Sequence, residues 1–146
     1  MVIDGQWRIC DDGVGRPAIQ VLVGGAAGSQ LAAYFLVDSC ADRSVLSADL
    51  MKRLGVSFTA PPAELIFQGI GGLSDFVLLE TVLEFAAQDG TTARVRGQFA
   101  AFTDPKATDP SILGRDVLNH FDVILSRRNN RVLLLTTSHT YRIDVK

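Results

Sequence analysis

Cysteine is scarce in this 146-residue chain. Cys10 and Cys40 are too few for a disulfide framework, and no paired Cys/His spacing suggests a zinc site. Clustered positive charge is also missing. The 14 basic and 16 acidic residues give a net charge of −2, with no basic block or basic helix face, so nucleic acid and anionic membrane are not expected partners. The longest apolar runs fall well short of the roughly 20 residues of a membrane span. The first twenty residues alternate polar and apolar and lack the continuous apolar stretch of a signal peptide. The default expectation is a reducing, cytoplasmic setting, with no metal and no cofactor.

What is present is a core-forming composition, 47% apolar and 21% charged, which excludes compositional disorder. No stretch reads as a linker, no repeat recurs at a fixed period, and one domain over residues 1–146 is expected. Runs of Val, Ile, Leu, Phe and Thr alternate with Gly, Pro, Asp and Asn punctuation, the pattern of an all-β barrel or sandwich. The spacing predicts strands over 5–10, 17–23, 31–38, 63–68, 76–86, 92–102, 122–126, 131–136 and 141–145. Turns are expected at Gly24–Gly28, at Asp89-Gly90 and at Arg128-Asn129-Asn130. Two short helices interrupt the strands. One is capped by Ser47, buries Leu50, Met51 and Leu54, and stops at Gly55; the other covers 115–120, with Val117, Leu118 and Phe121 inward.

Three segments carry possible chemistry. In the first, the apolar run Tyr34-Phe35-Leu36-Val37 leads directly into Asp38-Ser39-Cys40-Ala41-Asp42. A carboxylate at the end of a buried strand is costly to ionise without a partner or hydrogen bonds. Asp38 could equally cap its own turn. In the second, Gly69-Ile70-Gly71-Gly72, three glycines in four positions suit a hairpin tip able to lie close against a bound chain, or simply a turn. Its spacing fits no phosphate-binding loop. In the third, Ile112-Leu113-Gly114-Arg115-Asp116 opens the second helix and could serve packing alone.

Taken in order, the three resemble the retropepsin-like aspartic peptidases. The loop of residues 37–42 is similar to that family's Asp-Thr/Ser-Gly-Ala-Asp active-site loop, residues 69–72 to its flap tip, and residues 112–116 to its second signature. The likeness spans about residues 16–126. It implies a closed acid-protease barrel with a flap hairpin. It also implies a homodimer in which Asp38 of each copy is catalytic, hydrolysing peptide bonds of an extended protein segment. Ser39 would then lock the two loops across the dimer axis, and Asp42 and Arg115 would form an ion pair bracing the loop. The Gly69–Gly72 turn would close over the substrate. One chain carries one such acid, so the mechanism requires two copies. The strands near either terminus, including 131–146, are candidates for the rest of the interface.

Cys40 departs from the family pattern, which favours glycine there. The loop could be distorted, the cleft blocked, or the protein could be a catalytically silent peptide-binding or assembly dimer. A Cys40 nucleophile with His120 or His139 as base has no support in the sequence, and a small inert thiol is the commoner case. A β-barrel interaction domain in which Asp38 only caps a turn is the remaining rival.

Overall fold

The structure, a computed structural model, describes residues 1–56, 68–69, 72–73, 76–104 and 108–136, the two short pairs by their backbone only. Among these described residues, eleven strands and two α-helices run in the order β1 (Val2–Ile9), β2 (Gly15–Gly24), β3 (Gln30–Val37), β4 (Val45–Leu46), α1 (Ala48–Leu54), β5 (Gln68–Gly69), β6 (Gly72–Leu73), β7 (Phe76–Ala86), β8 (Thr92–Phe102), β9 (Ser111–Leu113), α2 (Arg115–Leu118), β10 (Asp122–Ser126) and β11 (Arg131–Leu135). Nine strands form one sheet, ordered β10-β11-β1-β2-β3-β9-β4-β8-β7, and a further β2–β7 pairing closes its β2-to-β7 part into a six-stranded barrel. The expected all-β closed barrel with short helices is therefore the fold.

Strand alternation explains the core. Phe35 and Val37 on β3, Leu46 on β4, Leu79, Leu83 and Phe85 on β7, Phe99 and Ala101 on β8 and Leu113 on β9 pack in one cluster with helix residues Leu50, Leu54 and Val117. The longest hairpin is β7–β8, registered from Phe76↔Phe102 to Ala86↔Thr92. Its connection turns at Asp89 and Gly90, where the Asp89 carboxylate accepts the Thr91 backbone N–H. Helix α1 begins where the Ser47 hydroxyl accepts the Leu50 N–H and ends at Gly55 in the left-handed region (φ 61°).

Several details depart from the sequence expectations. β1 starts at Val2 rather than at residue 5, because its first half pairs with β11 (Val2↔Leu135 to Gly5↔Val132) and its second half with β2. The second helix is shorter than 115–120. After Leu118 the His120 and Phe121 N–H groups bond to Val117 and Leu118 carbonyls, an i→i+3 tightening that ends the α-geometry. Phe121 still turns inward, edge-on to Phe85 with ring centroids 5.8 Å apart. β4 and β9 were not anticipated: at two and three residues they are too short for alternation to show. Residues 63–67 of the strand expected over 63–68, and all of the strand expected over 141–145, lie outside the described residues.

Candidate active site

Asp38 follows directly on β3. Its backbone N–H donates to the Leu113 carbonyl (3.1 Å), extending the parallel β3–β9 ladder one step past the strand. Its carboxylate Oδ1 accepts the Cys40 N–H (2.9 Å), and its carbonyl accepts the Ala41 N–H (3.3 Å). The Asx turn considered from sequence is thus present. It fixes one carboxylate oxygen and leaves the other without a hydrogen-bond partner among the described residues. Asp38 is half-buried; Ser39 and Cys40 beside it are exposed.

Strand register defines what Asp38 faces. Leu36 pairs with Ile112, Ile112 with Val45, Val45 with Ala100 and Ala100 with Leu78. These five residues form one apolar row across β3, β9, β4, β8 and β7. Their sequence neighbours Val37, Leu113, Leu46, Ala101 and Leu79 all belong to the core cluster, so the row lies on the opposite face of the sheet. Val45, Leu78 and Ala100 pack there with Phe76 and Phe102 in a second, smaller cluster. Asp38, two residues beyond Leu36 and still in register with β9, shares that face.

A polar network, buried at Ser44, holds the loop. Ser44, fully buried, donates from its backbone N–H (2.8 Å) and its hydroxyl (2.7 Å) to Asp116 Oδ1, while the same hydroxyl accepts the Gly114 N–H (2.9 Å). Arg115 and Asp116 N–H groups donate to the Ala41 (2.9 Å) and Asp42 (3.2 Å) carbonyls. The Arg115 guanidinium pairs with the Asp42 carboxylate, and this contact raises the arginine pKa above its usual range. Five bonds and an ion pair therefore tie residues 41–44 to the start of α2, across a separation of some seventy residues.

The structure thus brings the first and third sequence segments together: Ile112 and Leu113 lie beside β3, and Gly114, Arg115 and Asp116 bond to the loop after Asp38. In the second segment, Gly69 pairs with Gly72 across an antiparallel β5–β6 hairpin, while Ile70 and Gly71 lie outside the described residues. The partnership of Ser44 with Asp116 was missed from sequence, although an acid at the start of a helix was a visible signal. Ser39 makes no hydrogen bond among the described residues. It lines, with Val37, Arg115, Leu118, Asn119, Phe121, Val123 and Leu125, a concavity of about 470 Å³.

Cys40 does not distort the loop. Among the described residues only Ala27 and Asn130 are non-glycine positions with positive φ, so the backbone at 40 is open to any L-residue. The N–H that holds Asp38 belongs to the backbone and is present whatever side chain stands there. The thiol is exposed. His120 is exposed beyond α2 with no hydrogen bond to Cys40, and His139 lies outside the described residues.

A family model described as aspartyl protease matches residues 19–117. No curated protein matches the chain. Among solved structures, EIAV protease complexed with the inhibitor HBY-793 is similar at 23% identity over 71% of this chain and 86% of that one, with a TM-score of 0.52. A retropepsin-like aspartic protease from Rickettsia conorii aligns over 92% of this chain and 98% of its own length at 14% identity, with a TM-score of 0.57. With well over half of its 146 residues inside the family match, the chain belongs to the aspartyl protease family, and its fold is the one seen in these retropepsin-like neighbours.

Proposed function

We propose that the chain is a homodimeric aspartic endopeptidase that hydrolyses peptide bonds in extended protein segments. The observation carrying this reading is the setting of Asp38: one oxygen anchored by the Cys40 N–H, the other unengaged among the described residues, on the sheet face lined by the apolar row. Two such carboxyls side by side cannot both ionise easily, so the pair keeps one proton. The anionic member takes a proton from a water as that water attacks the peptide carbonyl. The protonated member donates to the carbonyl oxygen; collapse of the tetrahedral intermediate then passes the proton taken from water to the leaving nitrogen, returns a hydroxyl proton to the dyad and releases the amine and the carboxylic acid. The apolar row would receive substrate side chains, and the β5–β6 hairpin would close over the bound segment and exclude water.

The second copy has a natural seat. Among the described residues β10 is the end strand of the nine-stranded sheet, bonded to β11 on one side only. It exposes Val123 (38%) and Leu125 (49%), which line the same concavity as Ser39. An exposed apolar strand edge invites pairing with another chain. A copy docked there across a two-fold axis would bring the two Asp38 loops toward each other. Leu125→Glu places an unpaired carboxylate on each side of that seam. It is expected to weaken dimerisation by roughly 100-fold, from about 1.5 kcal/mol per desolvated group, as read by analytical ultracentrifugation, with activity falling in step. An active wild type that sediments as a monomer at every concentration would overturn the dimer.

The Cys40 backbone also predicts that wild type and Cys40→Gly both cleave an unstructured protein at mildly acidic pH. Their kcat/KM values should lie within about tenfold of each other, because the anchoring N–H survives the change. A dead wild type beside an active glycine variant would instead favour a catalytically silent peptide-binding dimer.

A further inference from the structure

Arg43 is a cation of the active-site loop. It lies five residues beyond Asp38 and is half-buried, yet its guanidinium has no ion pair or hydrogen bond among the described residues. Its neighbour Asp42 does not neutralise it, because that carboxylate is already engaged by Arg115. On the other side, Ser44 turns its hydroxyl inward to Asp116. Val45 after it belongs to the apolar row beside Asp38, and Arg43, in the bend just before β4, adjoins that row along the chain. A half-desolvated cation without a counter-charge is an incomplete pair, and guanidinium is suited to a carboxylate.

We propose that Arg43 is a specificity-determining residue, selecting peptides that carry an aspartate or glutamate close to the bond to be cut. This rests on the peptidase reading of the same site. β4, which Arg43 precedes, stands two strand spacings from β3, about 10 Å. An extended peptide covers that distance in about three residues, so the acidic side chain belongs within about three positions of the scissile bond. The row between, Leu36, Ile112 and Val45, takes an apolar side chain. The substrate class is accordingly an extended segment combining an apolar residue at the cut with an acidic one shortly beyond it.

The test is a cleavage profile of the purified full chain on an unstructured peptide library, read by mass spectrometry. It is followed by kinetics on one matched pair of peptides with Glu or Lys at the selected position. Wild type is expected to prefer the Glu peptide at least about tenfold in kcat/KM, Arg43→Gln to lose the preference, and Arg43→Glu to favour Lys. Thermal melts of both variants check that the fold is kept. The same two peptides, fluorescently labelled, are titrated against Asp38→Asn protein by anisotropy, so that charge selectivity is read whether or not a bond is broken. Equal affinity for both peptides, or an acid preference that survives Arg43→Glu, overturns the assignment. Acid-selective binding by a wild type that cuts nothing supports the role of Arg43 and removes only the peptidase reading.

Discussion

Asp38→Asn is expected to lower kcat on an unstructured protein by about 10⁴-fold or more while leaving the fold intact. General acid–base groups contribute about 10²–10⁴-fold each, and in a homodimer one substitution removes both the base and the acid. The amide side chain keeps an oxygen that can accept the Cys40 N–H, so the Asx turn persists and the thermal midpoint should move little. In the proposed mechanism the site belongs to the pair, so mixing wild-type and Asp38→Asn chains separates a dimer mechanism from any other. If a dyad with one acid is inactive, residual activity follows the square of the wild-type fraction; a self-sufficient monomer would follow it linearly. A statine-type inhibitor should bind wild type and lose affinity for the Asp38→Asn dimer. Unchanged turnover by Asp38→Asn would remove the mechanism entirely.

Legibility in the sequence followed the range over which each feature is determined. β7 and β8 match the predicted spans residue for residue, 76–86 and 92–102, because eleven-residue alternations flank an Asp-Gly turn. Helix α1 was legible for the same local reason: Ser47, Leu50, Met51, Leu54 and Gly55 are all signals within nine residues. β4 and β9 have no such local mark. They are strands because Val45 finds Ala100 and Ile112, and Ile112 finds Leu36, partners far away in sequence. The loop at Asp38 was legible as a motif, but its bracing by Ser44 and Asp116, 72 residues apart, was not. Cys40 shows the opposite failure. A glycine-favouring motif left open a distorted loop, a blocked cleft or a silent dimer, whereas the backbone at that position adopts an ordinary φ. Arg43 carried no sequence signal, because an arginine becomes conspicuous only when its neighbours' carboxylates are seen to be occupied.

The crossing of the two signature segments also identifies a position where a very small change should cost the fold heavily. A Cβ built on Gly114 would lie 2.4 Å from the Arg43 carbonyl carbon, 2.5 Å from its oxygen and 2.9 Å from the Ser44 nitrogen. All three atoms are backbone and have no rotamer by which to retreat. Gly114→Ala must therefore push residues 43–44 away from α2, stretching the Gly114 N–H bond to Ser44 Oγ and the two Ser44 bonds to Asp116. Overpacking costs about 1–3 kcal/mol and each weakened buried hydrogen bond about 1 kcal/mol, so a loss of at least about 3 kcal/mol is expected. For a domain of this size that is a fall in thermal midpoint of roughly 6–12 °C. Gly97→Ala is the matched comparison. Its added Cβ meets only the Phe99 ring, at 3.4 Å, and replacing a strand glycine should leave stability equal or raise it by up to about 1 kcal/mol. Activity separates the two further. The displaced residues 43–44 follow the Asp38 turn directly, so Gly114→Ala should depress kcat even well below its melting temperature, when the chain is still folded, and Gly97→Ala should not. Equal melting curves for the two variants would mean that the crossing does not brace the Asp38 loop.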